Sequence, residues 1–98
     1  MNLEPVSLTE KAIGEVKNIM LNKGIPQDYG LRIGIKGGGC GAMGYMIGFD
    51  KLNDEDLSYS NSNIPILVDK RHVMYLLGLE VDFYEGNDER GFVFNKPE

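Results

Sequence analysis

The chain has 98 residues, 42% hydrophobic and 26% charged, values of an ordinary folded domain, and nothing in it approaches the run of about 18 apolar residues that a membrane helix needs. Fifteen acidic against ten basic side chains give a net charge of −5, which argues against nucleic acid as a partner because phosphate binding rests on a basic stripe. One domain over 1–98 is expected, and with a single cysteine, no basic and apolar leader and no internal disulfide, a reducing cytoplasm is the expected compartment.

In chain order, Leu8 to Lys23 reads as an amphipathic helix, with Leu8, Ala12, Ile13, Val16, Ile19 and Met20 on one face. Two starts compete: Ser7 with Glu10 forms a capping box, whereas Thr9 as N-cap lets Leu8 and Ile13 staple the first turn. Gly24 provides a left-handed stop and Pro26 prevents the helix from resuming.

Leu31 to Lys36 and Tyr45 to Phe49 alternate apolar and other residues and read as two strands. Between them, Gly37, Gly38, Gly39, Gly41 and Gly44 surround Cys40, the one cysteine. A structural thiol normally packs as a small hydrophobe in an apolar run; here the neighbours are glycines, which leave the backbone unrestricted and the sulfur unshielded. Cys40 is therefore the first candidate site residue. Tyr45, on the apolar side of its strand, reads as core.

Asp50 to Asp56 is acidic and polar and is expected as an exposed turn, followed by a short strand over Leu57 to Ser60. Ile64 to Val68 is a brief apolar run in which Pro65 belongs at a strand start or edge. Asp69 then caps a short helix, Lys70 to Leu77, ended by Gly78; its Lys70-Arg71-His72 turn reads as solvated. Leu79 to Phe83 and Phe92 to Phe94 alternate around the turn residues EGNDERG and form a hairpin. The order of elements, with no room for repeated crossover helices, predicts an α+β fold: a compact, twisted mixed or antiparallel sheet with one long N-terminal helix and one short helix. The helix is expected on a sheet built from the strands beginning near Leu31, Tyr45, Leu79 and Gly91.

Gly39, Gly41 and Gly44 match G-x-G-x-x-G in letters, but a period-2 strand follows where the dinucleotide fingerprint requires a helix. Cys40 with His72 as nucleophile and base has no orienting third group, so an enzyme is not expected. The acidic turn lacks calcium-loop spacing.

Four segments together, LTEKA (Leu8 to Ala12), LRIGIKGGGCGAMGY (Leu31 to Tyr45), ILVDKRHVMYLLG (Ile66 to Gly78) and VDFYEGNDERGFVFNKP (Val81 to Pro97), resemble the A-type iron-sulfur cluster carriers, the HesB-like proteins, in the family's order. The resemblance implies a compact HesB-like fold, a homo-oligomer such as a dimer, binding of iron or a [2Fe-2S] cluster, and iron-sulfur assembly or recipient proteins as partners. It also implies that Cys40 is a metal and cluster ligand. The family's other two cysteines form a C-G-C motif shortly after the F-x-F-x-N-P segment; the sequence here shows the matching Phe92 to Pro97 without that pair, and reads as a short, degenerate member or, alternatively, a truncated one. A [2Fe-2S] cluster commonly takes four thiolates, whereas one Cys40 per subunit gives a dimer two. A labile cluster would then need a small thiol, a partner's cysteines, or oxygen and imidazole ligands to complete its shell. The alternative is a metal-free family scaffold or regulatory protein-binding module that has lost cluster binding.

Overall fold

The structure, a computed structural model, describes residues 4–37 and 43–96. The described residues form seven strands and two α-helices in two sheets: β1 (Val6–Leu8), α1 (Glu10–Asn22), β2 (Tyr29–Gly37), β3 (Met43–Lys51), β4 (Asp56–Asn61), β5 (Ile64–Asp69), a 3-10 turn (Lys70–His72), α2 (Val73–Leu76), β6 (Leu79–Glu85) and β7 (Arg90–Asn95). One sheet runs β3-β2-β5-β4 and the other β1-β6-β7. β2 with β5 and β1 with β6 are parallel and the remaining pairs antiparallel, so both sheets are mixed, as the α+β reading expects.

The four strands expected to share one sheet are divided between two. Alternation marks which side chains of a strand are buried; it does not say which strand lies beside it. Leu31 and Ile33 from β2 and Val81 and Phe83 from β6 are all buried, and they join Ala12 and Val16 of α1 in one core lying between the sheets and the helix.

The helix begins at Thr9. Its hydroxyl accepts from the Ala12 amide at 3.2 Å and donates to Asp82 Oδ1 at 2.6 Å, so one side chain both caps α1 and pins it to β6. Leu8, expected on the helix, belongs instead to β1, where Val6 and Leu8 are buried and Ser7 exposed. Three alternating residues are too few for a period-2 signal to stand out against the helical one beside it. Gly24 and Gly78 close their helical segments at φ +63° and +83°, as expected of left-handed stops.

Tyr59 of β4 couples the sheets. Its hydroxyl donates to the Val6 carbonyl at 2.6 Å and accepts from the Val6 amide at 2.9 Å, and burial pushes the phenol up to about 12. Pro65 occupies the second position of β5, at the strand's start as expected.

The acidic segment is not simply an exposed turn. β3 extends through Asp50 and Lys51, with Lys51 opposite Tyr29, and Asp56 opens β4 with its side chain fully buried. The cause is Arg32, whose guanidinium reaches Asp56 across the sheet; the sequence offers no local sign of that partner.

Candidate functional site

The β2–β3 hairpin presents the glycine-rich segment. Its ladder runs unbroken from Tyr29↔Lys51 to Gly37↔Met43, so residues 38–42 continue from two paired strand ends. Cys40, the predicted ligand, lies in that segment and outside the described residues.

Three parts of the chain meet near the Gly37↔Met43 end of this ladder. Ile35 and Tyr45 are opposite one another in the ladder, and Tyr45 stacks on Phe94 of β7 with ring centroids 5.2 Å apart. Lys96, just beyond β7, donates from Nζ to the Tyr75 carbonyl of α2 at 2.6 Å, tying the end of the C-terminal hairpin to the short helix. Ile35, Gly44, Tyr45, Tyr75 and Lys96 enclose an open cavity of about 160 Å³. Tyr45, read from sequence as core, is 36% exposed at the rim of this cavity, and Tyr75 is 52% exposed. The alternation of β3 correctly gives the face of Tyr45, but that face passes beyond the core at the strand's end. Tyr75 and Lys96 carry no sequence signal of their own.

Two lysines lie near this cavity. Lys36 is the ladder partner of Gly44, and Lys96 lines the cavity. Among the described residues neither forms an ion pair with a carboxylate, whereas Arg32, Lys51, Arg71 and Arg90 do.

His72 is not the solvated side chain that its basic turn suggests. β5 stays beside β2 through Leu31↔Ile66 and Arg32↔Leu67, and the chain then enters the 3-10 turn, bringing the imidazole against Gly34. A Cβ at Gly34 would lie 3.2 Å from His72 Nδ1, tighter than ordinary van der Waals contact. That nitrogen is buried and has no hydrogen-bond partner among the described residues. Asp69 caps the turn, accepting from the Arg71 amide at 2.9 Å and pairing with the Arg71 guanidinium at 2.7 Å, which holds its carboxyl far below the usual range. Cys40 and His72 are not shown together, and among the described residues no three His, Cys, Asp or Glu side chains cluster as a metal site. No described helix is long and apolar enough to cross a membrane.

Comparison with known proteins matches this architecture. The iron-binding protein IscA of Proteus mirabilis is 37% identical over 93 residues, which cover 94% of this chain and 85% of that protein; the IscA of Pectobacterium carotovorum is 38% identical over the same shares. Among solved structures, Escherichia coli SufA, involved in biosynthesis of iron-sulfur clusters, shares the fold with a TM-score of 0.82 over 100% of this chain and 85% of its own, at 24% identity. The crystal structure of IscA with the [2Fe-2S] cluster superposes with a TM-score of 0.73 over 94% of this chain and 82% of its own, at 26% identity. The model of the iron-sulphur cluster biosynthesis family matches residues 5–98, and with that match and the two IscA relatives the chain belongs to this family, as its four sequence segments had indicated.

Proposed function

We propose that this protein is a carrier, and not a catalyst, that binds iron or a labile [2Fe-2S] cluster through the Cys40 thiolate and passes it to recipient proteins. The observation that carries this reading is the unbroken β2–β3 ladder up to Gly37↔Met43, which fixes both ends of a glycine-rich segment holding the chain's one thiol. The IscA relatives, described as iron-binding, and the cluster-bearing IscA structure support the choice of cargo. Thiolate sulfur is the donor type that iron-sulfur clusters take, and a second copy related by a two-fold axis would bring a second Cys40. A homodimer is therefore the expected carrier form, with the remaining ligands supplied from outside the pair.

The test is anaerobic reconstitution with iron and sulfide, followed by visible absorbance, for the intact protein and for Cys40→Ala. A charge-transfer spectrum that disappears in the variant, with the fold unchanged, supports the reading. Equal or absent metal uptake in both removes it, and sedimentation of the loaded protein checks the dimer.

A further inference from the structure

We propose that β3 is a docking edge for a second copy of this chain, the two β3 strands pairing antiparallel about a two-fold axis at Ile47 and joining two four-stranded sheets into one. Among the described residues β3 stands at the end of its sheet, with β2 as its one ladder partner. A free strand edge is a template for another chain, and folded proteins blunt such edges by shortness, proline, bulges or charge. β3 has none of these along most of its length. It is nine residues long, pairs with β2 without a bulge, contains no proline, and carries charge only at its last two residues, Asp50 and Lys51. The other outer strands are shorter: β1 has three residues, and β4 and β7 have six each. Tyr45 and Met46 of β3 are 36% and 40% exposed, and Ile47 and Phe49 are half-buried.

The occupant follows from the strand's own symmetry. A two-fold axis perpendicular to the sheet keeps every side chain on its face, so one residue meets its own copy at the axis, and choosing Ile47, the midpoint of Met43–Lys51, pairs the whole strand. On the core side Tyr45 then meets the second copy's Phe49, an aromatic cross-strand pair. On the other side Met46 lies over the second copy's Gly48, where an added Cβ would touch nothing. Charge is complementary as well. Lys36, Gly44 and the second copy's Asp50 fall in one row, and an added Cβ at Gly44 would also touch nothing, so the space between the two charges is open. Their Cα atoms are two strand spacings apart, roughly 10 Å, which a lysine and an aspartate side chain span together. Lys36 is exposed, and the Asp50 side chain is 57% exposed. The two-fold forms this ion pair twice and opposes no like charges on the two β3 strands. An axis at Gly48 leaves Met43 and Gly44 unpaired, and an axis at Met46 leaves Asp50 and Lys51 unpaired; either loses the ion pairs. The inference does not rest on the carrier reading. The two copies of Met43 end about 27 Å apart, at opposite ends of the paired strands, so this contact is distinct from one that brings two Cys40 thiolates together.

The test uses the whole chain, free of metal. In the unaltered protein, sedimentation equilibrium is expected to show a reversible dimer, and amide exchange in 44–50 is expected to slow as concentration rises, at the alternate amides that β2 does not use. Neither readout depends on a variant folding. The register is read by cross-linking in a Cys40→Ala background, where an introduced thiol is the only one. Directly opposed residues have Cα atoms about 4.5 to 5.5 Å apart, within disulfide range, so Ile47→Cys should form an intermolecular disulfide when oxidised with diamide. Lys51→Cys, about 27 Å from its own copy, should not. Charge reads the pairing of Met46 with Gly48. Met46→Lys with Gly48→Lys opposes like charges twice and should weaken the dimer about tenfold, whereas Met46→Lys with Gly48→Glu should restore it to within about threefold of the parent. A chain that stays monomeric at every concentration overturns the proposal, as does a dimer in which Ile47→Cys fails to cross-link or in which the two charge variants are weakened equally. A protein that dimerises in this register yet takes up no iron removes the carrier reading and leaves this one standing.

Discussion

Arg32 grips Asp56 with both guanidinium nitrogens, Nη1 to Oδ1 and Nη2 to Oδ2 each at 2.6 Å, while its Nε reaches Asp50 at 2.9 Å. The Asn53 amide also donates to Asp56, so the buried carboxylate is met on several sides. Removing one partner of such a pair strands the other charge. Asp56→Ala should cost about 3 to 5 kcal/mol in urea unfolding, whereas replacing Arg32 and Asp56 together by Met and Leu should cost much less.

The same contact fixes an acid limb. The Arg32 hydrogen bonds hold the Asp56 carboxyl below its ordinary value, against the opposing effect of burial. A carboxyl lowered in the folded state contributes its stability in full above the unfolded pKa of about 3.9 and loses it as pH falls toward the folded value. Urea midpoints should therefore be flat from neutrality to about pH 5 and fall below about pH 4. Asp56→Asn should be less stable at neutral pH and show a shallower acid limb; an unchanged limb would assign it to other carboxyls.

Val16 is fully buried where α1 faces the core. Val16→Asp leaves an unpaired charge there and should destabilise by several kcal/mol, about 3 or more. Lys17→Asp, one residue along on the exposed face, should stay within about 0.5 kcal/mol. Thermal melting of the two variants is the measurement, and similar losses would mean that the helix does not dock by this face.

At Gly34 an added methyl group would press on the His72 ring, which must yield by a few tenths of an ångström. Gly34→Ala should lower stability by about 1 kcal/mol, and His72→Ala should relieve the clash. The double variant is then expected to be more stable than the sum of the two single losses predicts. Additive losses would show that the ring already has room to move.

For the cargo, Gly39→Val and Gly41→Val alter no donor atom, yet they narrow the backbone choices of the segment that carries Cys40. Iron uptake should fall in both while the melting temperature stays near that of the parent. Alkylation of Cys40 should slow when iron is bound and return to its metal-free rate after chelation.

Features decided by local chemistry were legible in the residues. Asp69 as a cap, Gly24 and Gly78 as stops, the β6–β7 hairpin and the strands about the glycine segment all follow from interactions spanning a few residues, whereas local chemistry left Thr9 and Ser7 as competing starts for α1 and the structure selects Thr9. What stayed hidden depended on partners far along the chain. Leu8 joins β1 because β6 lies beside it, Asp56 is buried because Arg32 reaches it, and His72 is drawn inward because Gly34 leaves space. The cavity was invisible for the same reason: Tyr45, Tyr75 and Lys96 come from three separate parts of the chain, and only Cys40, marked by its glycine setting, stood out as a candidate.

The parallel pairing of Val6, Ser7 and Leu8 with Leu79, Glu80 and Val81 has a consequence during synthesis. β1 finds its ladder partner in β6, far along the chain, so until β6 has been synthesised Val6–Leu8 has no β6 edge to join and α1 has no β6 beneath it. The β2–β3 and β4–β5 pairs, close in sequence, can form meanwhile. Until the β6–β7 hairpin emerges, the apolar face of α1 lacks its cover from β6, and such transiently exposed apolar surface favours aggregation of the nascent chain.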